Sequence, residues 1–394
     1  MGKKVLKSGR FWVGIIGLAF CLSAIFAQMP ERQEYEFTPR FTMERARVLS
    51  VDNSRLSPDP IVEGLYLGRQ TVEVEVLSGV HRGRQVRFEN TLSRFFNYPA
   101  RENMTMVVQI DTQNEQIVRM DVQSFSRGPF IFIFIGLFLL ILLLVGRRKG
   151  LYSALSLIFT LIVVLFFMIP LIIRGHSPIF MAVVTAALTS MFSIFIVANV
   201  SMKSLAAICG TFAGVTIAGI ASVLAGRFGH ISGMQLEHAE MVILQAGDAI
   251  INVPQLLSAG IIIAALGATI DVGMSIAAAV FEMKVVNPEL DARRLYKSGM
   301  NIGRDIMGTM SNTLILAFAG VSLTVLVLLV MFEFPYIQLI NMNLLAIEII
   351  QGISASIGLI LTVPVTAALA AILSSDNKIT DFLRNKIKIR GEGA

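Results

Sequence analysis

One carboxylate stands where the surrounding residues are hardest to reconcile with charge. Asp271 lies in the run 256–282, LLSAGIIIAALGATIDVGMSIAAAVFE. A charge at the centre of a bilayer costs roughly 3 kcal/mol on insertion scales, so an acid there is read first as a functional group that holds a proton or a cation. Ser275 and Glu282 continue the same helical face. A second polar series, Asn301, Asp305, Thr309 and Asn312, precedes and enters the next apolar run at helical spacing. Antiparallel helices carrying these two series would form an ion, proton or substrate pathway from Asp271, Asn312, Asp305, Ser275, Thr309 and Asn301. The competing reading is that Ser275, Thr309 and Asn312 only tie helices together, at about 0.6 kcal/mol per contact.

Small residues flank this acid. Ala207, Gly210, Gly214, Ala218, Ser222 and Ala225 recur every three or four positions in one apolar run, and Gly260, Ala264, Gly267, Asp271, Ser275 and Ala278 do so in the next. Such stripes let helix backbones approach closely. Gly210, Gly214, Gly260 and Gly267 are therefore expected to serve helix packing, with the two stripes forming a central antiparallel pair.

Other chemistries lack their residues. The segment 227–255 holds His230, Glu237, His238, Glu240 and Asp248, but Glu237-His238-Ala239-Glu240 has no established ligand spacing, and adjacent helical positions diverge by about 100°. No metal and no cofactor is expected. There is no phosphate-binding loop, zincin helix, nucleophile elbow or pair of catalytic carboxylates. An intramembrane hydrolase would need a base, and the apolar runs contain no His. The chain is not expected to be an enzyme.

The elements that must position these residues follow from composition. The chain has 394 residues, 55% hydrophobic and 15% charged, with a mean hydropathy of +0.71. That balance belongs to a multi-pass membrane protein. A spanning helix needs about 20 apolar residues. Eight runs are long enough, at 11–27, 129–146, 151–173, 178–199, 205–226, 256–282, 313–331 and about 344–373. Lys and Arg cluster at 3–10, 147–149, 203, 284–304 and 378–390. All of these fall on one side if there are eight spans with both termini cytoplasmic. The basic balance thus reports topology and contact with anionic lipid, and nucleic acid is not expected as a partner.

The expected organisation is an N-terminal anchor at 1–27, an extracytoplasmic domain at 28–128, a seven-span membrane domain at 129–375 and a basic cytoplasmic tail at 376–394. The first run could also be a signal peptide, but it is long for one. Asn287-Pro288-Glu289-Leu290-Asp291 is a helix-start signal for a cytoplasmic amphipathic helix over 287–300, lying along the membrane surface. A helix through Met241–Leu244 is expected at the outer interface, and a kink at Pro364.

The outer domain reads as strands. Alternation recurs at 71–76, 85–90 and 104–110, with a further strand expected at 116–122. A small β-barrel or sandwich follows, an OB-like barrel being one version. Phe95, Phe96 and Tyr98 are expected in its core. Cys21 and Cys209 both lie in spans, so this domain has no disulfide.

The run Gly267–Ala277, then Ser298–Ala317, together with Gln70–Asn90 and Gly358–Thr366, resembles the YibE/F-like family of bacterial membrane proteins. That resemblance implies a multi-pass protein of the bacterial cytoplasmic membrane, with suggestions of transport. A more distant likeness is to the resistance-nodulation-division superfamily, which includes SecD and SecF. It rests on Gly267 to Asp271, the helix at 287–300 and Thr309 to Thr313, and this chain departs from it in having one Asp and two additional spans.

Two functions remain open on the sequence. One is a permease or transporter-like protein, proton- or cation-coupled through Asp271. The other is a non-transporting scaffold or envelope-assembly factor that binds an envelope protein through residues 28–128.

Overall fold

The computed structural model of the chain describes Gly17, Ser23 and residues 41–113, 116–231, 233–234, 239–245 and 251–375. The expected first span, the tail at 376–394, and Glu237, His238 and Asp248 lie outside the described residues. The chain divides into two compact units, meeting in sequence between Leu142 and Leu143.

The first unit is built on β1 (Phe41–Asp52), β2 (Leu56–Pro58), β3 (Tyr66–Val76), β4 (Gln85–Leu92), β5 (Thr105–Gln113) and β6 (Gln116–Phe125). They form one antiparallel sheet, ordered β2-β3-β1-β5-β6 with β4 on the other edge of β3, which curls into a half-barrel. Alternate residues supply the core: Ala46 and Val48 from β1, Val72, Val74 and Val76 from β3, and Met106, Val108 and Ile110 from β5. Period-two burial of this kind is what an alternating strand sequence dictates when one face is dry. The four strands expected from alternation are present.

Two polar features interrupt that core. Gln70, 1% exposed, donates to Asn53 Oδ1 (2.6 Å) and to the Ala100 carbonyl (2.9 Å), and accepts from Asn90 Nδ2 (3.2 Å) and the Ala100 N–H (2.8 Å). Every hydrogen-bonding group of its amide is thus engaged. Glu44 is buried on the inward face of β1 and accepts from Ser78 Oγ at 2.7 Å. Its carboxylate fills the place where a Cβ on Gly79 would stand, and Gly79 has φ +70, so two constraints require glycine there.

The second unit is helical. The elements in chain order are α1 (Gly128–Val163), a π-helical turn at Val164–Met168, α2 (Ile169–Ile173), α3 (Pro178–Ala198), α4 (Met202–Phe228), α5 (Ala239–Gln245), α6 (Val253–Val286), α7 (Ala292–Val321), α8 (Leu323–Met331), α9 (Tyr336–Ile340) and α10 (Asn343–Ser375). The first part of α1 belongs to the first unit. Among the described residues five helical runs are long and apolar enough to cross a membrane, or six if α7 and α8, bent by 65°, count as one span. The run 128–173 departs from helical geometry at Arg147 (φ 49, ψ −125), between the two spans expected at 129–146 and 151–173.

The core of this unit lies where α4, α6 and α10 meet. Ala206 and Ala207, Val272, Ile276 and Ala277, and Leu359, Val363, Ala367 and Ala370 are all fully buried there. The segment expected as a surface helix over 287–300 is placed differently. Asp291 caps a helix starting at Ala292 and running unbroken into the membrane segment; Leu295 is fully buried, and Gly299 and Gly303 lie against Val280 and Ala367, and Val363 and Ile276. The glycines on one face dock this helix on the core, so the segment cannot lie apart along the surface. Helix α10 continues through Pro364, where a kink was expected. Helix α5 covers the expected Met241–Leu244 segment, with those side chains exposed.

Candidate functional site

Helix α6 has two unlike faces. Asn252 caps it, accepting from the Gln255 N–H (3.1 Å), with Pro254 in the first turn. One face is consumed by packing on α4. Ser222 Oγ donates to Ser258 Oγ (2.9 Å), Thr211 Oγ1 donates to the Thr269 carbonyl (3.2 Å), Gly219 admits Ile262, and Gly273 lies against Thr211 and the Ala207 carbonyl. The other face carries Gly260, Ala264, Gly267, Asp271 and Ser275, all exposed.

Asp271 opens onto a cleft of about 540 Å³ between α6, the later part of α1 and α3. The polar side chains lining it with Asp271 are Ser153, Ser156, Thr160 and Ser193. Ser156 Oγ donates to Ser193 Oγ at 2.5 Å, and Thr160 Oγ1 donates to the Ser156 carbonyl at 3.0 Å. Among the described residues lining the cleft there is no Lys, Arg or His. A lone carboxylate among neutral hydroxyls fits a single positive charge, because one proton or one monovalent cation neutralises it and the hydroxyls complete the coordination or hydrogen bonding.

The sequence-selected residues divide here. Ser275 shares the exposed face of Asp271, one turn along. Asn301, Asp305, Thr309 and Asn312 are exposed on the side of α7 away from Leu295, Gly299 and Gly303, and none of them lines the Asp271 cleft. Asn301 accepts from Arg304 Nη1 (3.2 Å), and Thr309 Oγ1 donates to the Ile306 carbonyl (3.0 Å), so both have partners within α7. The polar lining opposite the acid therefore comes from α1 and α3. It was present in the sequence as Ser153, Ser156 and Thr160 at three- and four-residue spacing in α1, and as Ser193 in α3.

The four glycines also divide. Gly210 and Gly214 lie against Thr366 and Thr362 of α10, so the α4 stripe packs on α10. Among the described residues, Gly260 and Gly267 have no atom within 4 Å of where a Cβ would stand. Ala264, Gly267 and Asp271 of the α6 stripe line the cleft, and the two stripes do not face one another.

A second cavity, about 510 Å³, lies among the ends of α3, α4 and α6, lined by Ser222, Arg227, His230, Asn252, Gln255 and Ser258 with apolar neighbours. Between the two cavities Met181, Ala182 and Ala186 of α3 and Ala259, Ile262 and Leu266 of α6 join in a single buried cluster, and α3 also buries Thr185, Thr189 and Ser190 there. Packed side chains of α3 and α6 thus separate the two cavities.

Residues 134–376 match the family model described as YibE/F-like protein. No curated protein and no solved structure matches the chain. The family match runs from Phe134 within α1 through α10, including the Asp271 cleft and the α4–α10 contact, which is well over half of the sequence. The chain belongs to the YibE/F-like protein family.

Proposed function

We propose that this protein is a membrane permease in which Asp271 binds the coupling proton or monovalent cation. The observation that carries the reading is the cleft of about 540 Å³ in which one carboxylate faces Ser153, Ser156, Thr160 and Ser193 with no basic side chain in its lining. Charge neutralisation at Asp271 removes the cost of holding a carboxylate in a low-dielectric cleft. The α6 face bearing Gly260, Ala264 and Gly267 then accepts closer approach of α1 and α3. Parting the buried contact between α3 and α6 at Met181, Ala182 and Ile262 would connect the cleft with the cavity at Arg227 and Asn252. The reading includes eight spans with both termini in the cytoplasm of a bacterium, supported by the departure from helix at Arg147 and by the basic clusters.

The test needs no known substrate. Purified protein in proteoliposomes on a solid-supported membrane is subjected to pH jumps and to sodium jumps, and the displacement current is recorded. Wild type gives a current to one of them, Asp271→Glu retains it and Asp271→Asn abolishes it. An Asp271→Asn protein of unchanged thermal stability that gives the wild-type current overturns the assignment.

A further inference from the structure

The outer domain carries an apolar surface that its own core does not explain. Phe95 is 93% exposed and Phe96 62%, although both were expected in the core, and Ile61 on a neighbouring loop is 75% exposed. The two loops are held together. Arg94 Nε donates to Asp59 Oδ2 (2.6 Å) and Arg94 Nη2 to Asp59 Oδ1 (3.1 Å), while Asp59 also accepts from the N–H groups of Ile61 (2.8 Å) and Val62 (3.2 Å). Asn97 Nδ2 donates to the Tyr66 carbonyl at 2.6 Å. The aromatic pair is thus presented on a braced loop, at the cost of leaving two phenylalanine rings in water.

Strand direction places this surface. β1 is antiparallel to β3 and β3 to β4; β1 is antiparallel to β5 and β5 to β6. So β1, β4 and β6 run the same way and finish at the same end of the sheet. β2, antiparallel to β3, also runs this way; the loop after it carries Ile61 and Val62, the loop after β4 carries Phe95 and Phe96, and β6 leads directly into α1, whose opening residues are apolar and exposed. Side-chain contacts agree. Tyr98 packs edge-on against Phe125 (5.4 Å between centroids), and the Arg127 guanidinium stands 6.0 Å from the Tyr98 ring and 5.7 Å from the Phe125 ring. Arg127 immediately precedes α1, and Phe95 is three residues from Tyr98, within about 11 Å by chain length.

We infer that Phe95, Phe96, Ile61 and Val62 insert into the headgroup and upper acyl region of the outer leaflet, anchoring the half-barrel at the point where the chain enters the membrane. Aromatic side chains are enriched at this depth, and a basic residue beside them reaches lipid phosphate. The occupant is phospholipid. The surface lies at the membrane-entry end of the sheet, where bilayer is the nearest apolar phase. Val80, equally exposed at 89%, sits in the β3–β4 turn at the opposite end and serves as an internal contrast.

The experiment uses the full chain in phospholipid nanodiscs, with Cys21 and Cys209 replaced by Ser and a single cysteine introduced as Phe95→Cys or Val80→Cys. Each is labelled with an environment-sensitive fluorophore. The label at 95 is expected to be quenched by nitroxide on lipid acyl chains and shielded from aqueous iodide, and the label at 80 to show the reverse. Iodide quenching of equal size at both positions overturns the proposal, as does equal lipid quenching at both. Shielding at 95 from both quenchers also overturns it, since that outcome means a second copy or a partner protein covers the surface.

Discussion

Replacing Gly214 and Gly267 separately by Ala distinguishes a glycine required by packing from one that is merely small. At Gly214 a Cβ would collide with Thr362 Oγ1 and stand 2.8 Å from the Gly358 carbonyl oxygen, against 3.4 Å for ordinary contact. Neither neighbour gives way cheaply. Thr362 is β-branched and its hydroxyl donates to that same carbonyl (2.9 Å), and Gly358 is backbone pressed on Ala218 and the Gly214 carbonyl. The helices must part by about an ångström or more, and overpacking of this kind costs about 1–3 kcal/mol. At Gly267 nothing lies within 4 Å of the new methyl. Both changes gain the same helix propensity, roughly 1 kcal/mol in water, so the difference between the two variants isolates the packing strain. With roughly 2–4 °C per kcal/mol for a domain of this size, Gly214→Ala should melt about 2–12 °C below Gly267→Ala. Helical circular dichroism in detergent reads both midpoints. Equal midpoints, or a lower one for Gly267→Ala, would refute the assignment of close packing to α4 and α10.

Three further outcomes follow from the geometry. Gln70→Leu should unfold or strongly loosen the half-barrel, because Asn90 and both backbone groups of Ala100 lose their partner in a dry core, at about 1–3 kcal/mol for each buried group left unsatisfied; amide exchange across β3 and β4 measures it. The Arg94 guanidinium, and after it the Ile61 N–H, hold the Asp59 carboxyl down to about 2 from an ordinary 3.8. The stabilisation this pair supplies is therefore complete above about pH 4 and is lost as pH falls toward 2. Protection of the Ile61 and Val62 amides against exchange, relative to their intrinsic rates, should fall across that interval, and Arg94→Ala should already have lost it at pH 4; no difference between the two proteins at pH 4 counts against the brace. Ser193→Ala, which removes the acceptor of the Ser156 hydroxyl, should change stability by less than about 1 kcal/mol yet reduce the ion-jump current, and an undiminished current removes Ser193 from the pathway.

What could be read from the sequence was whatever is dictated by period. β3 through β6 alternate visibly and were found, whereas β1 was missed because its inward positions are Glu44, Ala46 and Val48. An acid and an alanine in those places hide the alternation, and only the Ser78 hydroxyl reaching Glu44 makes the acid tolerable inside. Phe95 and Phe96 were misplaced for the converse reason. Composition alone puts phenylalanine in a core, and the brace that exposes them joins Asp59 to Arg94, 35 positions away. Small-residue spacing in α4 correctly announced a close contact, but spacing carries no information about the partner. α10 receives that stripe through Gly358, Thr362 and Thr366, and these are as small and as regularly spaced as the α6 stripe that was expected instead.

That mispairing explains why Asp271 can be where it is. Had the stripe bearing Gly260, Gly267 and Asp271 packed on α4, the carboxylate would stand at a helix contact with no room for an ion or for water. Helix α6 instead spends a different face on α4, through Ser258, Ile262, Thr269 and Gly273, and leaves the small-residue face toward α1 and α3. On that face the glycines contribute space. An alanine at Gly260 or Gly267 meets nothing, while the acid beside them faces hydroxyls on the neighbouring helices. A packed contact on one face and a cleft bearing one carboxylate on the other keep Asp271 outside the core that α4, α6 and α10 share, so the acid costs that core nothing.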